Sequence, residues 1–168
     1  MTAYEQFDPI FKNVHRDIER YIEQSGKVEK RKDGFLVYHG YYEAQRLMVD
    51  RYLSEKAYEP LVRYFRGWNW EVGDNDFLLD LTARLKSDGE RSLLETLWGG
   101  VISKRRKMYR EMKRLRAEDP NLVPLGQFDE ARELLISSLE QLRNLAVEFE
   151  QTEAAEKLTR RIAGLADD

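Results

Sequence analysis

Apolar residues recur along this chain at helical spacing far more than at strand spacing. Ile10, Phe11, Val14, Ile18, Tyr21 and Ile22 form a first stripe. Phe7-Asp8-Pro9 reads as its start, with Asp8 capping free amides and Pro9 at the first helical position. Ser25-Gly26 reads as its stop. A second stripe runs through Tyr41, Ala44, Leu47, Met48, Val49, Tyr52 and Leu53. After a break near Glu55 to Tyr58, Pro60 stands in the first turn of a helix carrying Leu61, Tyr64, Phe65 and Trp68. Gly67 and Asn69 to Asn75 predict a loop, and Asp74 or Asp76 caps a helix with Phe77, Leu78, Leu81 and Leu85 inward. Ser87-Asp88-Gly89 turns the chain into a long helix, Glu90 to Ala117, with Leu94, Leu97, Trp98, Val101, Met108, Met112 and Leu115 as its seam. Gly99-Gly100 interrupts that helix at a cost of about 2 kcal/mol against alanine, which predicts close packing or a bend. Asp119-Pro120 ends it. Beyond a linker at 120–126, Phe128, Ala131, Leu135, Leu139, Leu142, Leu145, Ala146 and Phe149 mark another helix. Ala155, Leu158, Ile162 and Leu165 mark its continuation or a further helix, with Gln151-Thr152 as the one turn available between them.

The stretch Lys27 to His39 breaks this pattern. Asp33-Gly34 precedes the β-prone Phe35-Leu36-Val37-Tyr38, a hairpin signal, yet the first arm is too charged for a buried strand. It reads either as a short hairpin or as an exposed loop leading into a helix. The expected class is therefore mainly α: antiparallel helical hairpins stacked as a bundle or short repeat array, with room for one small β-hairpin near residues 27–39. One helical domain is expected over 1–168, with an N-terminal helix in 1–26, central hairpins in 41–118, and a helix or hairpin in 127–168.

Composition narrows the class of function. At 168 residues the chain suits one ordinary domain, and 42% hydrophobic content supplies a core. The 28 basic and 31 acidic residues leave a net charge of −3, so overall charge demands neither nucleic acid nor a membrane surface. With no cysteine, disulfides, thiolate metal sites and cysteine nucleophiles are excluded, and a reducing cytoplasm fits. The opening residues lack the basic and apolar regions of a signal peptide, and no membrane span is expected.

Shifting the sequence by 33 residues aligns Tyr52 with Leu85, Leu61 with Leu94, Phe65 with Trp98 and Trp68 with Val101. The turn Glu55–Tyr58 falls on Asp88–Arg91. A further turn, Gly126-Gln127-Phe128-Asp129-Glu130-Ala131, follows Gly89 by 37 residues. In these features the chain, over roughly 41–165, resembles the tetratricopeptide repeat. That family stacks two-helix units and places Gly-x-aromatic-x-x-Ala at the turn opening the second helix, which Gly126, Phe128, Ala131 and Leu135 match. Tyr52, Tyr58, Phe65 and Trp68 match its large-residue positions. Arg91 opposite Tyr58, Pro60 within a helix and the scarcity of small residues depart from it. The resemblance implies a groove that holds a peptide.

The sharpest candidate chemistry is basic. Residues 104–116 hold eight basic side chains and one acid, Glu111. On a helix Arg105 falls near the apolar seam, while Lys107, Arg110 and Arg114 share a ridge with Lys104 and Lys113 beside it; Arg106 adds to the strip. Such a strip suits phosphates, an acidic protein, or the chain's own acidic end, where residues 129–168 hold ten acids and five bases. Lys27, Lys30, Arg31 and Lys32 read as a solvated turn. Nine large rings lie between Tyr38 and Trp70, and Tyr38, Tyr42 and Trp70 fit the apolar stripes least, which predicts exposed rings suited to a partner. His15 and His39 each have a glutamate four residues on, Glu19 and Glu43, the spacing of a mixed nitrogen–oxygen metal site on a helix. No nucleophile elbow, phosphate-binding loop or dinucleotide fingerprint occurs.

The expectation is a non-enzymatic cytoplasmic interaction module, of adaptor, chaperone or toxin-neutralising type, without cofactor. It would bind a protein or peptide through a helical groove and the basic helix. The alternatives are a nucleic-acid-associated regulator using residues 104–116, and a metal-dependent helical enzyme using His15 and His39. A single long C-terminal helix with Leu135, Leu142 and Phe149 on one face would point to a homodimer.

Overall fold

A computed structural model describes residues 6–67 and 76–168. The predicted loop 69–75 and the rings of Trp68 and Trp70 lie outside them. The described chain is mainly α with one antiparallel β-hairpin, as expected: α1 (Val14–Gln24), β1 (Val28–Lys30), β2 (Leu36–Tyr38), α2 (Tyr41–Ser54), α3 (Tyr58–Arg66), α4 (Asp76–Ser87), α5 (Arg91–Glu118), α6 (Leu125–Glu148) and α7 (Thr152–Ala166). Two compact units divide it: Met1–Phe65 with Asn75–Leu93, and Arg66–Asp74 with Leu94–Asp168. Consecutive helices pack in the manner of stacked hairpins, α1 on α2 in the first unit and α6 on α7 in the second. No helix of the described residues is long and apolar enough to cross a membrane.

Helix ends follow one backbone device. At Gly26, Lys56, Gly89 and Glu150 the chain takes a left-handed conformation, φ between 54° and 70°. Each time the next amide reaches back to a carbonyl three residues inside the helix end: Lys27 to Ile22, Ala57 to Tyr52, Glu90 to Leu85 and Gln151 to Ala146. The second and third of these lie 33 residues apart, so the recurrence read from the sequence is the recurrence of one helix cap. Tyr58 and Asp88 tie these two turns together, the Tyr58 hydroxyl donating to Asp88 Oδ2 at 2.5 Å. The hydrogen bond from Tyr58 holds the Asp88 carboxyl below its usual range, with Lys56 adding to it.

Of the two readings open for residues 27–39, the hairpin is the one that forms. Val28, Glu29 and Lys30 pair with Tyr38, Val37 and Leu36, and Gly34 supplies the left-handed residue of the turn. The charged first arm is no obstacle, because Phe35 and Leu36 are exposed at 70% and 52% and only Val28, Val37 and Tyr38 are half-buried.

The first helix starts later than the sequence suggests. Its cap is Asn13, whose side chain accepts from the Arg16 amide at 3.0 Å, and not Asp8. The cause is Asp17, which is 1% exposed. Its two oxygens take the amides of Ile10 and Phe11, each at 3.1 Å, with Phe11 in a left-handed conformation. The Tyr52 hydroxyl from α2 donates to the same carboxylate at 2.5 Å, and Arg20 pairs with it at 3.2 Å. Residues 7–12 are thus drawn over α1 as an irregular strap. Ile10 is left exposed, while Phe7 is buried against the Tyr21 ring.

In the second unit the core gathers Ile102, Tyr109, Val123, Phe128, Leu135, Leu139 and Leu158. Residues 125–166 form two helices joined at Phe149–Gln151, the hairpin alternative of the sequence reading. Gly126 lies inside the first turn of α6, with its neighbours' amides on Pro124 O, so it is not a turn residue of its own. Of the paired glycines, Gly100 serves close packing: a Cβ there would collide with Arg66 Cγ, whereas Gly99 faces open space.

Two stability effects follow from this geometry. Gly89→Ala has free space around its new Cβ, so only the left-handed backbone penalises it, by about 1 kcal/mol. Glu150→Gly relieves that penalty and shifts the urea midpoint upward by a smaller amount. Asp17→Ala strands two amides and a buried hydroxyl, a loss of about 3 kcal/mol in the same urea titration. Tyr52→Phe loses much less, about 1 kcal/mol, because it removes the donor with its bond.

Candidate functional site: the basic helix divided

Helix α5 carries the basic strip through the second unit, where its side chains fall into four sets. Arg105 turns inward and is 3% exposed; its guanidinium donates to Leu134 O at 3.2 Å and to Ser138 Oγ at 2.5 Å, both on α6. Burial pulls its pKa down. Tyr109, one turn on, stacks on Phe128 with centroids 5.4 Å apart. These two residues, with Ile102, form the inward face of the middle of α5.

The last turns of the helix are already paired. Lys113 meets Asp168 at 2.9 Å, and Arg114 meets both Glu111 and Glu118. Arg116 donates to Val123 O at 2.7 Å and lies over the Phe128 ring. The chain's own acidic end therefore claims part of the strip, one of the three partners its charge suits, though by Asp168 alone among these contacts.

Lys104 and Lys107 stay exposed and border a groove of about 590 Å3, lined further by Met108, Glu111, Met112, Leu115 and Val123. The sequence pattern places Met108, Met112 and Leu115 in the buried seam with Leu94, Leu97, Trp98 and Val101. The latter four are buried, but the two methionines and Leu115 are only half-buried, and they floor the groove. Glu111 is held below the usual carboxylate range by Arg114, with Lys107 adding to it. The groove thus has an apolar floor of flexible thioethers and a cationic rim at Lys104 and Lys107. Arg106 and Arg110 line a different hollow, with Arg161.

The aromatic candidates belong to the first unit. Tyr42 is 49% exposed, its ring 6.3 Å from Phe77 and covered by the Arg46 guanidinium. Tyr38 is half-buried and its hydroxyl reaches Glu23 at 3.4 Å. Trp70 lies outside the described residues. His15 pairs with Glu19 at 2.9 Å as the spacing predicts, but His39 pairs with Glu29 across the hairpin and not with Glu43. Residue 39 sits at the end of a strand, where the helical offset does not operate. Among the described residues no group of three metal-ligating side chains occurs. A polar chain with no signal in residue spacing joins α1, α2 and α3: His15 Nδ1 meets Tyr41 Oη at 2.7 Å, Tyr41 meets Tyr64, and Gln45 donates to Tyr64 at 2.7 Å. Burial and the Tyr64 bond push the Tyr41 hydroxyl up.

No family model, curated protein or solved structure matches this chain.

Burial and the bond to Asp168 push the Tyr109 hydroxyl from its ordinary 10.0 up to about 12. The folded form then holds a proton that the unfolded chain releases, so stability is full below pH 10 and falls as pH rises toward 12. In urea titrations across that window Tyr109→Phe should lose stability less steeply than the parent. Part of the slope persists through Tyr41 and Tyr52, which are shifted the same way.

Proposed function

We propose that this chain is a non-enzymatic, cytoplasmic protein-interaction module of adaptor, chaperone or toxin-neutralising kind. Its helical hairpins would resemble tetratricopeptide repeats, and it would take an acidic amphipathic segment of a partner protein into the groove on α5. The observation that carries the reading is the groove's make-up: half-buried Met108, Met112 and Leu115 beneath exposed Lys104 and Lys107. Unbranched methionines adapt to varied apolar side chains. Lysines at the rim steer and select an acidic partner without the cost of burying their charge. An amphipathic helix presents apolar residues at i, i+3, i+4 and i+7, the form such a groove accepts, and acids on its flanks would meet the rim.

The division of the strip counts against the nucleic-acid alternative. A protein that tracks a phosphate backbone offers a continuous cationic face, and here Lys113 and Arg114 are already engaged with carboxylates.

The test is capture from host lysate, with and without nuclease, by the parent and by a Lys104→Glu, Lys107→Glu double variant. The expected result is one protein recovered at near-equal amount, indifferent to nuclease. Its acidic segment, as a labelled peptide, binds the double variant about 100-fold more weakly, on the order of 2.8 kcal/mol. Nucleic acid recovered at physiological salt, no stoichiometric protein, or a partner held equally by the double variant would each overturn the proposal.

A further inference from the structure

Arg106 and Arg110 stand apart from the groove. They line a hollow of about 240 Å3 with Tyr109, Leu135, Leu165 and, from α7, Arg161. Arg106 is half-buried, while Arg110 and Arg161 are exposed. Among the described residues none of the three is in an ion pair, although acids outnumber bases in this chain and Lys113, Arg114 and Arg132 each have a carboxylate. Burial disfavours the charge of Arg106, and Arg161 and Arg110 beside it disfavour it further. The Tyr109 hydroxyl, also on the wall, is committed to Asp168 at 2.6 Å.

Three like charges held around one hollow repel one another unless an anion sits between them. Guanidinium groups present planar forks matched to the oxygens of phosphate, and three of them suit a dianion better than a single negative charge. Leu135 and Leu165 keep part of the wall apolar, which strengthens charge interactions there. The volume falls below the 300 Å3 or so at which pockets begin to accept drug-sized ligands. That favours a phosphate with only a few further atoms.

We propose that the Arg106–Arg110–Arg161 hollow is a binding site for a small phosphomonoester, whose phosphate is gripped by the three guanidiniums. The site is separate from the Lys104–Lys107 groove and does not depend on the protein-docking reading.

The test titrates the full chain with phosphoserine, inorganic phosphate and acetate at matched ionic strength, read by calorimetry and by arginine Nε resonances. Phosphoserine should bind saturably, one per chain, and move the Arg106, Arg110 and Arg161 signals. Arg161→Gln should weaken that binding at least about tenfold. In phosphate-free buffer the same variant should melt at a higher temperature than the parent, since a repelling charge is gone, and a merely structural arginine would not give that result. Lys107→Gln, on the groove, should leave phosphoserine binding unchanged, so this site and the groove fail or succeed separately. The proposal is overturned by an absence of saturation, by acetate binding as tightly, by inorganic phosphate binding tenfold more tightly than the ester, or by Arg161→Gln binding like the parent.

Discussion

A chain built almost wholly of helices is organised by where its helices stop. Four of the helices here stop at a residue that accepts the left-handed conformation, and the bonds that follow turn the backbone out of the helix toward the next element. Two of these residues are glycines, for which the conformation is free of steric cost; the other two, Lys56 and Glu150, carry a Cβ and hold it against a penalty. What holds them is the packing on either side of the turn. Tyr52 and Leu85, whose carbonyls accept the closing bonds at two equivalent turns, are fully buried. At Glu150 cap and core therefore support each other: the turn brings α7 back onto α6, and that packing keeps the turn in its strained form.

Buried polar groups add a second level of specification within each unit. Asp17 gathers two strap amides, a tyrosine hydroxyl and an arginine onto one carboxylate, which decides the path of residues 7–12 and the first residue of α1. Arg105 reaches α6 through a carbonyl and a hydroxyl. An unmatched polar group in either place would be costly, so each tolerates few alternative arrangements. Their effect is to fix direction and register, which apolar contact alone leaves loose.

The basic helix shows how one run of sequence yields several surfaces. Neighbouring residues on a helix point about 100° apart, so Lys104, Arg105 and Arg106 look toward a groove rim, the core and a second hollow in succession. Further along, Glu111, Glu118 and Asp168 absorb the charge of Lys113 and Arg114. The cationic character that dominates the sequence is thus divided between structural bonds and two exposed sites of different chemistry. One is an apolar groove with lysines at its edge, and the other a small hollow ringed by arginines.

Much of this fold is legible in residue spacing alone. The apolar stripes of α2, α4 and α6 and the turns at Gly26 and Gly89 are local consequences of residue spacing and backbone preference, which act over a few residues. Spacing alone leaves two readings each for the stretch around Gly34 and for the break near Gln151, where Glu150 takes a left-handed conformation that its own residue type does not favour. The start of α1 is not legible in the same way, because the local cap at Asp8 is overruled by Asp17, a residue whose role depends on Tyr52 thirty-five positions away. The candidate site divides along the same line. That residues 104–116 form a strongly basic helix with an apolar seam follows from their order along the chain. That Met108 and Met112 stay half-open, that Arg105 is buried, and that Arg161, from another helix, joins Arg106 and Arg110 follows from the packing around that helix. The reason is physical: a helix's own sequence sets the angle between its side chains, while the direction any of them faces is set by what packs against it.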